Sequence, residues 1–115
     1  MREATYPKAA RLRRRAEFLS IQREGRRRHT PHLVILRRQT SRSISRLGIT
    51  VSSKVGNAIV RNRLKRLFRE IFRQNRGQLE PPIDLLIIAK PGADTLTYAQ
   101  AATEFARTLE LAAGR

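Results

Sequence analysis

The stretch Val55–Arg76, VGNAIVRNRLKRLFREIFRQNR, leaves a fold the least choice. At about 3.6 residues per helical turn, Val60, Leu64, Leu67, Phe68, Ile71 and Phe72 fall on one side. Asn62, Lys65, Arg66, Arg69 and Arg73 fall on the other, and Arg61 and Arg63 border the apolar stripe. Such a helix has one face to bury and one to offer to a negative partner. The rest of the chain must supply the surface that the apolar stripe covers.

The segments around it read as follows. Residues 1–10 read as a flexible basic tail, and 11–113 as one domain. From about Arg11 to Glu24, Leu12, Ala16, Leu19 and Ile21 alternate with arginines, which predicts a short amphipathic helix. Gly25 ends it as a C′ residue, and GRRRHTP follows as a basic loop. His32–Arg38 reads as a strand with Val34, Leu36 and Arg38 on one side and Leu33, Ile35 and Arg37 on the other. Thr40–Ser45 is a polar loop. Arg46–Ser53 is a second strand, with Leu47, Ile49 and Val51 facing a core and Gly48, Thr50 and Ser52 left open to a ligand.

The central helix is expected to start near Asn57, and Gly77 with Pro81 and Pro82 closes it off. Ile83–Lys90 is a nearly continuous apolar run, the pattern of a strand covered on both faces. A last helix begins at Thr97, where Thr97 and Gln100 have the spacing of a capping box. Tyr98, Ala101, Ala102, Phe105, Leu109 and Ala112 form its packing stripe. The order is helix, strand, strand, helix, strand, helix: an α+β fold with a small mixed sheet and three helices. The second strand, central helix and last strand have the length of a βαβ unit, which implies a parallel pair.

The formal net charge of +16 in 115 residues opposes compaction by self-repulsion, so a polyanionic partner is expected. Nucleic acid ranks first and an anionic membrane second. Lys occurs only at 8, 54, 65 and 90. The arginine bias suits bidentate phosphate contacts, although it equally fits a GC-rich genome. With no cysteine, disulfides, zinc knuckles and thiol catalysis are excluded. No apolar run approaches the roughly 20 residues that span a bilayer, and the N-terminus lacks a signal peptide's apolar core. A soluble, cytoplasmic protein with no membrane partner is expected. No constellation supports catalysis by the protein itself. His29 and His32 lack a nearby Asp, Glu or Cys in sequence and make a poor metal site. Asp84 and Glu70 are separated single carboxylates, read as structural.

From Arg46 to Glu70 the chain resembles the protein subunit of bacterial ribonuclease P. The motif residues are Ser53, Lys54, Gly56 and Asn57 in a turn, then Arg61, Asn62, Arg63, Lys65 and Arg66 on the helix. The flanks AEFLSIQREGRR and DLLIIAKPGA match that family in order, and the resemblance covers roughly Arg11 to Phe105. It implies an α/β sandwich of the ribosomal-protein-like type with a left-handed βαβ crossover, where the general rule is right-handed. It also implies that a large RNA subunit, with bound magnesium, removes the 5′ leader of precursor tRNA. The protein would bind no cofactor itself and would need no obligate protein partner.

On that resemblance, Arg61, Asn62, Arg63, Lys65, Arg66, Arg69 and Arg73 bind the RNA subunit. Phe18, Val34, Leu36, Arg38, Thr50, Ser52, Lys54 and Asn57 line the path of the leader and tRNA, and Gly56 supplies a turn conformation that other residues resist. The residue chemistry agrees. Arg66, Arg69 and Arg73 present cations at helical spacing to a phosphate backbone, and the turn before the helix offers free N–H groups to a phosphate. Phe18 serves either to stack a base or to fill the core. The family's second aromatic, one turn on, falls near Gln22 here, and a cleft aromatic falls at Leu36. Leader binding should therefore lean on charge, each missing stacking platform being worth roughly 1–3 kcal/mol. Arg13–Arg15 and Arg26–Arg28 read as unspecific electrostatics that aid RNA assembly. Two other readings stand beside this one. A ribosomal protein or general RNA chaperone would share the shape, and a DNA-binding protein would place the central helix in a major groove. No helix-turn-helix is visible to favour the latter.

Overall fold

The computed structural model describes residues 8–109. Residues 1–7 of the tail expected at 1–10, and residues 110–113 with Ala112, lie outside the described residues. In chain order the elements are α1 (Arg15–Glu24), β1 (Arg26–His29), β2 (Leu33–Gln39), β3 (Arg46–Thr50), α2 (Ala58–Asn75), β4 (Ile83–Ala89) and α3 (Tyr98–Leu109). The strands form one mixed sheet in the order β1-β2-β4-β3. β4 pairs antiparallel with β2 and parallel with β3, so the expected βαβ unit is present as β3-α2-β4.

β1 departs from the sequence reading, which made GRRRHTP a loop. All four of its residues are exposed, so no apolar alternation marks it. It is a strand because it satisfies the free edge of β2, pairing Arg26 with Arg37 through to His29 with Val34. The N-terminal boundary also moves. Lys8–Ala10 forms a 3-10 turn, Ala10 is wholly buried, and the Leu12 amide donates to the Leu47 carbonyl at 2.9 Å. α1 starts only at Arg15, after this segment has run beside β3.

The sheet separates two cores. On one face, Leu33 and Ile35 of β2, Leu47 of β3 and Leu85 and Ile87 of β4 meet Leu64, Phe68, Ile71 and Phe72 of α2 and Ala101, Phe105 and Leu109 of α3. The apolar stripe of Val55–Arg76 is thus spent on the sheet, each large buried side chain contributing about 1.5–3 kcal/mol. On the other face Ile21 of α1 closes a smaller cluster over Val34, Leu36 and Leu86, with Phe18 and Ile88 at its border.

The helix ends follow local chemistry. Asn57 caps α2, its Oδ1 accepting from the Val60 amide at 3.0 Å. Thr97 and Gln100 form the expected capping box of α3: the Thr97 amide donates to Gln100 Oε1 at 3.0 Å, and the Gln100 amide to Thr97 Oγ1 at 3.2 Å. Gly25 ends α1 in an extended conformation, φ −76° and ψ 158°. Its requirement for glycine is one of space, since a Cβ there would lie 2.6 Å from the Ile21 carbonyl oxygen.

Candidate nucleic-acid interface

The basic residues of α2 divide by what they already hold. Arg63 Nη2 donates to the Asp94 carbonyl at 2.7 Å and Nη1 to the Leu96 carbonyl at 3.2 Å, pinning the turn before α3. Arg73 is paired with Glu70 one turn back, and its guanidinium holds that carboxyl below its ordinary range. Arg61 makes a long contact, 3.4 Å, to the Gly56 carbonyl. Against the expectation of one uniform RNA-binding face, Arg63 and Arg73 have structural partners. Asn62, Arg66 and Arg69 are exposed and Lys65 is half-buried. Lys65, Arg66 and Arg69 have no ion pair among the described residues, so with the neutral Asn62 they form the open basic face.

The turn before α2 extends this surface. Ser52, Lys54 and Asn57 are all exposed. Ser52 Oγ accepts from the Lys54 amide at 3.3 Å, which shapes the turn while leaving the Lys54 ammonium without an ion pair among the described residues. Gly56 is needed for a different reason than expected. Gly92 is the glycine with positive φ among the described residues. At Gly56 a Cβ would lie 2.8 Å from both Cβ and Cγ1 of Val60. The glycine lets the turn close onto the first turn of α2.

The opposite sheet face is ordered in rows across the strands. Arg46, Asp84 and Arg38 form the first row, Gly48, Leu86, Leu36 and Arg27 the second, and Thr50, Ile88, Val34 and His29 the third. α1 lies over the first two. Arg46 grips Asp84 with two bonds of 3.0 Å and Glu17 of α1 with one of 2.8 Å. Arg38 reaches Asp84 at 3.3 Å, Glu24 at 3.4 Å and the Ser20 hydroxyl. Burial alone would raise the Glu17 carboxyl, but Arg46 and the Arg14 and Arg13 amides hold it below its ordinary value. Asp84 likewise keeps the Arg46 guanidinium protonated.

This arrangement corrects three leader-path assignments. Arg38 is committed to the ionic cluster. Leu36 is wholly buried and Val34 nearly so, at 8% exposure, because Ile21 of α1 packs on them. Gly48, expected to be open, is covered: a Cβ there would meet Phe18 Cζ at 2.9 Å and Leu12 Cβ at 3.1 Å. Phe18 is half-buried, lying on Gly48 at the border of the small core, so it has a packed face and an accessible one. What stays open lies in the third row on either side of the covered Val34, where Thr50 and Ile88 are half-buried and His29 is exposed. His29 and Ile88 were missed because only the strand register puts them in one row with Thr50.

The other histidine is structural. His32 Nδ1 lies 2.6 Å from Glu104 Oε2, and the His32 amide donates to Oε1 at 3.1 Å. Burial would raise the Glu104 carboxyl, yet the Thr30 hydroxyl and these two His32 contacts bring it below its ordinary value. The chain therefore brings a carboxylate to His32 from far along the sequence. Among the described residues no group of three or more His, Cys, Asp or Glu could hold a metal ion. No described helix is long and apolar enough to cross a membrane.

Comparison with known proteins places this geometry. The sequence model of the ribonuclease P family matches residues 6–113. The ribonuclease P protein component of Geobacter sp. (strain M21) is 45% identical over 106 residues, covering 92% of this chain and 90% of that protein. The solved ribonuclease P protein of Staphylococcus aureus superposes with a TM-score of 0.81 at 31% identity, over 90% of this chain and 94% of that one. That of Thermotoga maritima gives 0.78 at 35% identity, over 87% and 94%.

Proposed function

The chain belongs to the ribonuclease P protein family, and on that premise we propose how its two open surfaces divide the work of the holoenzyme. As a protein component of ribonuclease P it is an accessory subunit of an endoribonuclease, partnered with an RNA subunit in 5′ processing of tRNA. The free face of α2, Asn62, Lys65, Arg66 and Arg69, binds the RNA subunit. The observation that carries this is the split on one helix: Leu64, Phe68, Ile71 and Phe72 are buried in the core under the sheet, while Lys65, Arg66 and Arg69 have no intramolecular carboxylate among the described residues. Cations left unpaired on a rigid helix keep their full charge for phosphates.

The leader of precursor tRNA runs along the third row of the sheet, over Thr50, Ile88 and His29, towards Ser52 and Lys54. Phe18 forms one wall and stacks a base on its accessible side. The α2 cap at Asn57 lies at the end of this path, where free helix N–H groups favour a phosphate. Magnesium stays with the RNA, which performs the cleavage, and the protein acts in the cytoplasm.

The test is equilibrium binding of the ribonuclease P RNA by Arg66→Glu/Arg69→Glu at several salt concentrations. We expect weaker binding and a shallower dependence of log affinity on log salt, by about 0.7–0.9 for each phosphate no longer neutralised. Unchanged affinity and slope in a folded variant would remove α2 from the interface.

A further inference from the structure

A second group of free cations lies at the other edge of the sheet. Arg26, Arg27 and Arg28 make up most of β1 and are exposed. Arg26 stands directly opposite Arg37 of β2. Like charges facing each other across a strand pair are unfavourable unless an anion comes between them. No ion pair of Arg26, Arg28 or Arg37 exists among the described residues, whereas Arg38, next in sequence, has two carboxylates.

Strand alternation puts Arg26, Arg28 and Arg37 on the face that carries α2 and α3, away from the row assigned to the leader. Arg26 and Arg37 also line a hollow of about 570 Å³, floored by Leu79, Pro81 and Ile83 with Gln39 beside them. Glu24 and Glu80 reach the same hollow, but Glu24 is held by Arg23 and Arg38. The site is therefore concave, part apolar and crossed by paired guanidinium groups. β1 and β3 are the two edges of the sheet, about 14 Å apart at roughly 4.8 Å per strand. α2 packs beside β3, so one short run of phosphates on α2 does not also reach β1.

We propose that Arg26, Arg28 and Arg37 form a second RNA-backbone site, which takes a phosphodiester between Arg26 and Arg37 and a nucleotide in the adjoining hollow. The inference rests on the reading of the chain as an RNA-binding subunit and extends it. The protein holds RNA at both edges of its sheet, and two linked contacts raise affinity beyond either alone. The competing account is that the β1 arginines only keep an edge strand from pairing with other chains.

The experiment compares Arg26→Gln/Arg37→Gln with Arg42→Gln/Arg107→Gln, a pair that removes the same charge from residues outside the hollow. Binding to ribonuclease P RNA is followed against salt, with thermal melting and sedimentation as checks on fold and monomeric state. We expect the first pair to flatten the log–log salt slope by about 0.7–0.9, as for the one phosphate between them left unneutralised, and the control pair to change it by less than half of that. Arg26→Glu, at an exposed position, supplies the same test should the double variant fold poorly. It keeps the edge charged, so edge protection alone predicts a monomer that binds RNA as well as Arg107→Glu. Equal slopes for both pairs, or equal affinity of the two single variants, overturn the second site. Arg66→Glu/Arg69→Glu, run alongside, keeps the outcomes separable. If it also leaves binding unchanged, the α2 reading fails; if it alone weakens binding, only the second site fails.

Discussion

Arg46 and Asp84 are direct partners on parallel strands, and their side chains close a fork-to-fork pair with two bonds of 3.0 Å. Asp84 is 2% exposed and also receives Arg38 at 3.3 Å. One carboxylate thus balances two guanidinium groups beneath α1, whose Glu17 and Glu24 complete the charge count.

Asp84→Ala removes the buried carboxylate that both arginines share, leaving the buried Arg46 with Glu17 alone and Arg38 with Glu24 alone. Breaking a buried pair in this way costs about 3–5 kcal/mol. Denaturant unfolding should show that loss, and α1 should protect its amides less in hydrogen exchange. A loss below about 1 kcal/mol, the value of an exposed pair, would mean that the cluster does not fasten α1.

Glu104 gives the fold an acid-sensitive link between α3 and the start of β2. Its folded value lies below the ordinary 4.5, so the folded state takes up a proton less readily than the unfolded chain. The stabilisation is full well above 4.5 and drains away as falling pH passes through the depressed folded value. Glu104→Gln should cost about 1–3 kcal/mol at pH 7. The gap between variant and parent should narrow as the pH drops below that ordinary value. A gap independent of pH would contradict the assignment.

Gly48→Ala pushes a methyl group against Phe18 and Leu12. Phe18 can swing its ring edge away, but the Leu12 Cβ, at 3.1 Å, is tied to backbone. Overpacking of this kind costs about 1–3 kcal/mol. Because Phe18 walls the proposed leader path, that proposal predicts that the variant discriminates less between leader-bearing and mature tRNA. Equal losses for both RNAs would place Phe18 in the core alone.

Asn57 caps α2 and also sits in the proposed tRNA path. Asn57→Ala should lose about 1 kcal/mol, and Asn57→Ser should recover most of it, since both Asn and Ser cap well. RNA binding that tracks stability through this pair assigns Asn57 to capping. Binding that stays weak in Asn57→Ser assigns it a contact with RNA as well.

The sequence carried the parts of the fold that depend on short-range pattern. The buried stripe of α2, the Asn57 start, the Thr97–Gln100 box and the β3-α2-β4 unit each follow from spacing within a few residues. β1 was invisible because an edge strand of RRRH has no apolar period, and only the free edge of β2 makes it a strand. The alternation of β2 correctly put Val34, Leu36 and Arg38 on one face. It could not say that α1 would cover that face, so these residues are buried or paired where an open path was expected. Arg63 and Arg73 look like Arg66 and Arg69 in sequence. What separates them is the distant Asp94 carbonyl in one case and Glu70 in the other.

The most direct test of the account is cleavage of precursor tRNA by a bacterial ribonuclease P RNA at low magnesium, with and without this protein. The account predicts no cleavage by the protein alone, little by the RNA alone, and restored 5′ processing when the two are combined. Cleavage by the RNA-free protein, or no restoration when the folded protein is bound to the RNA, would contradict it.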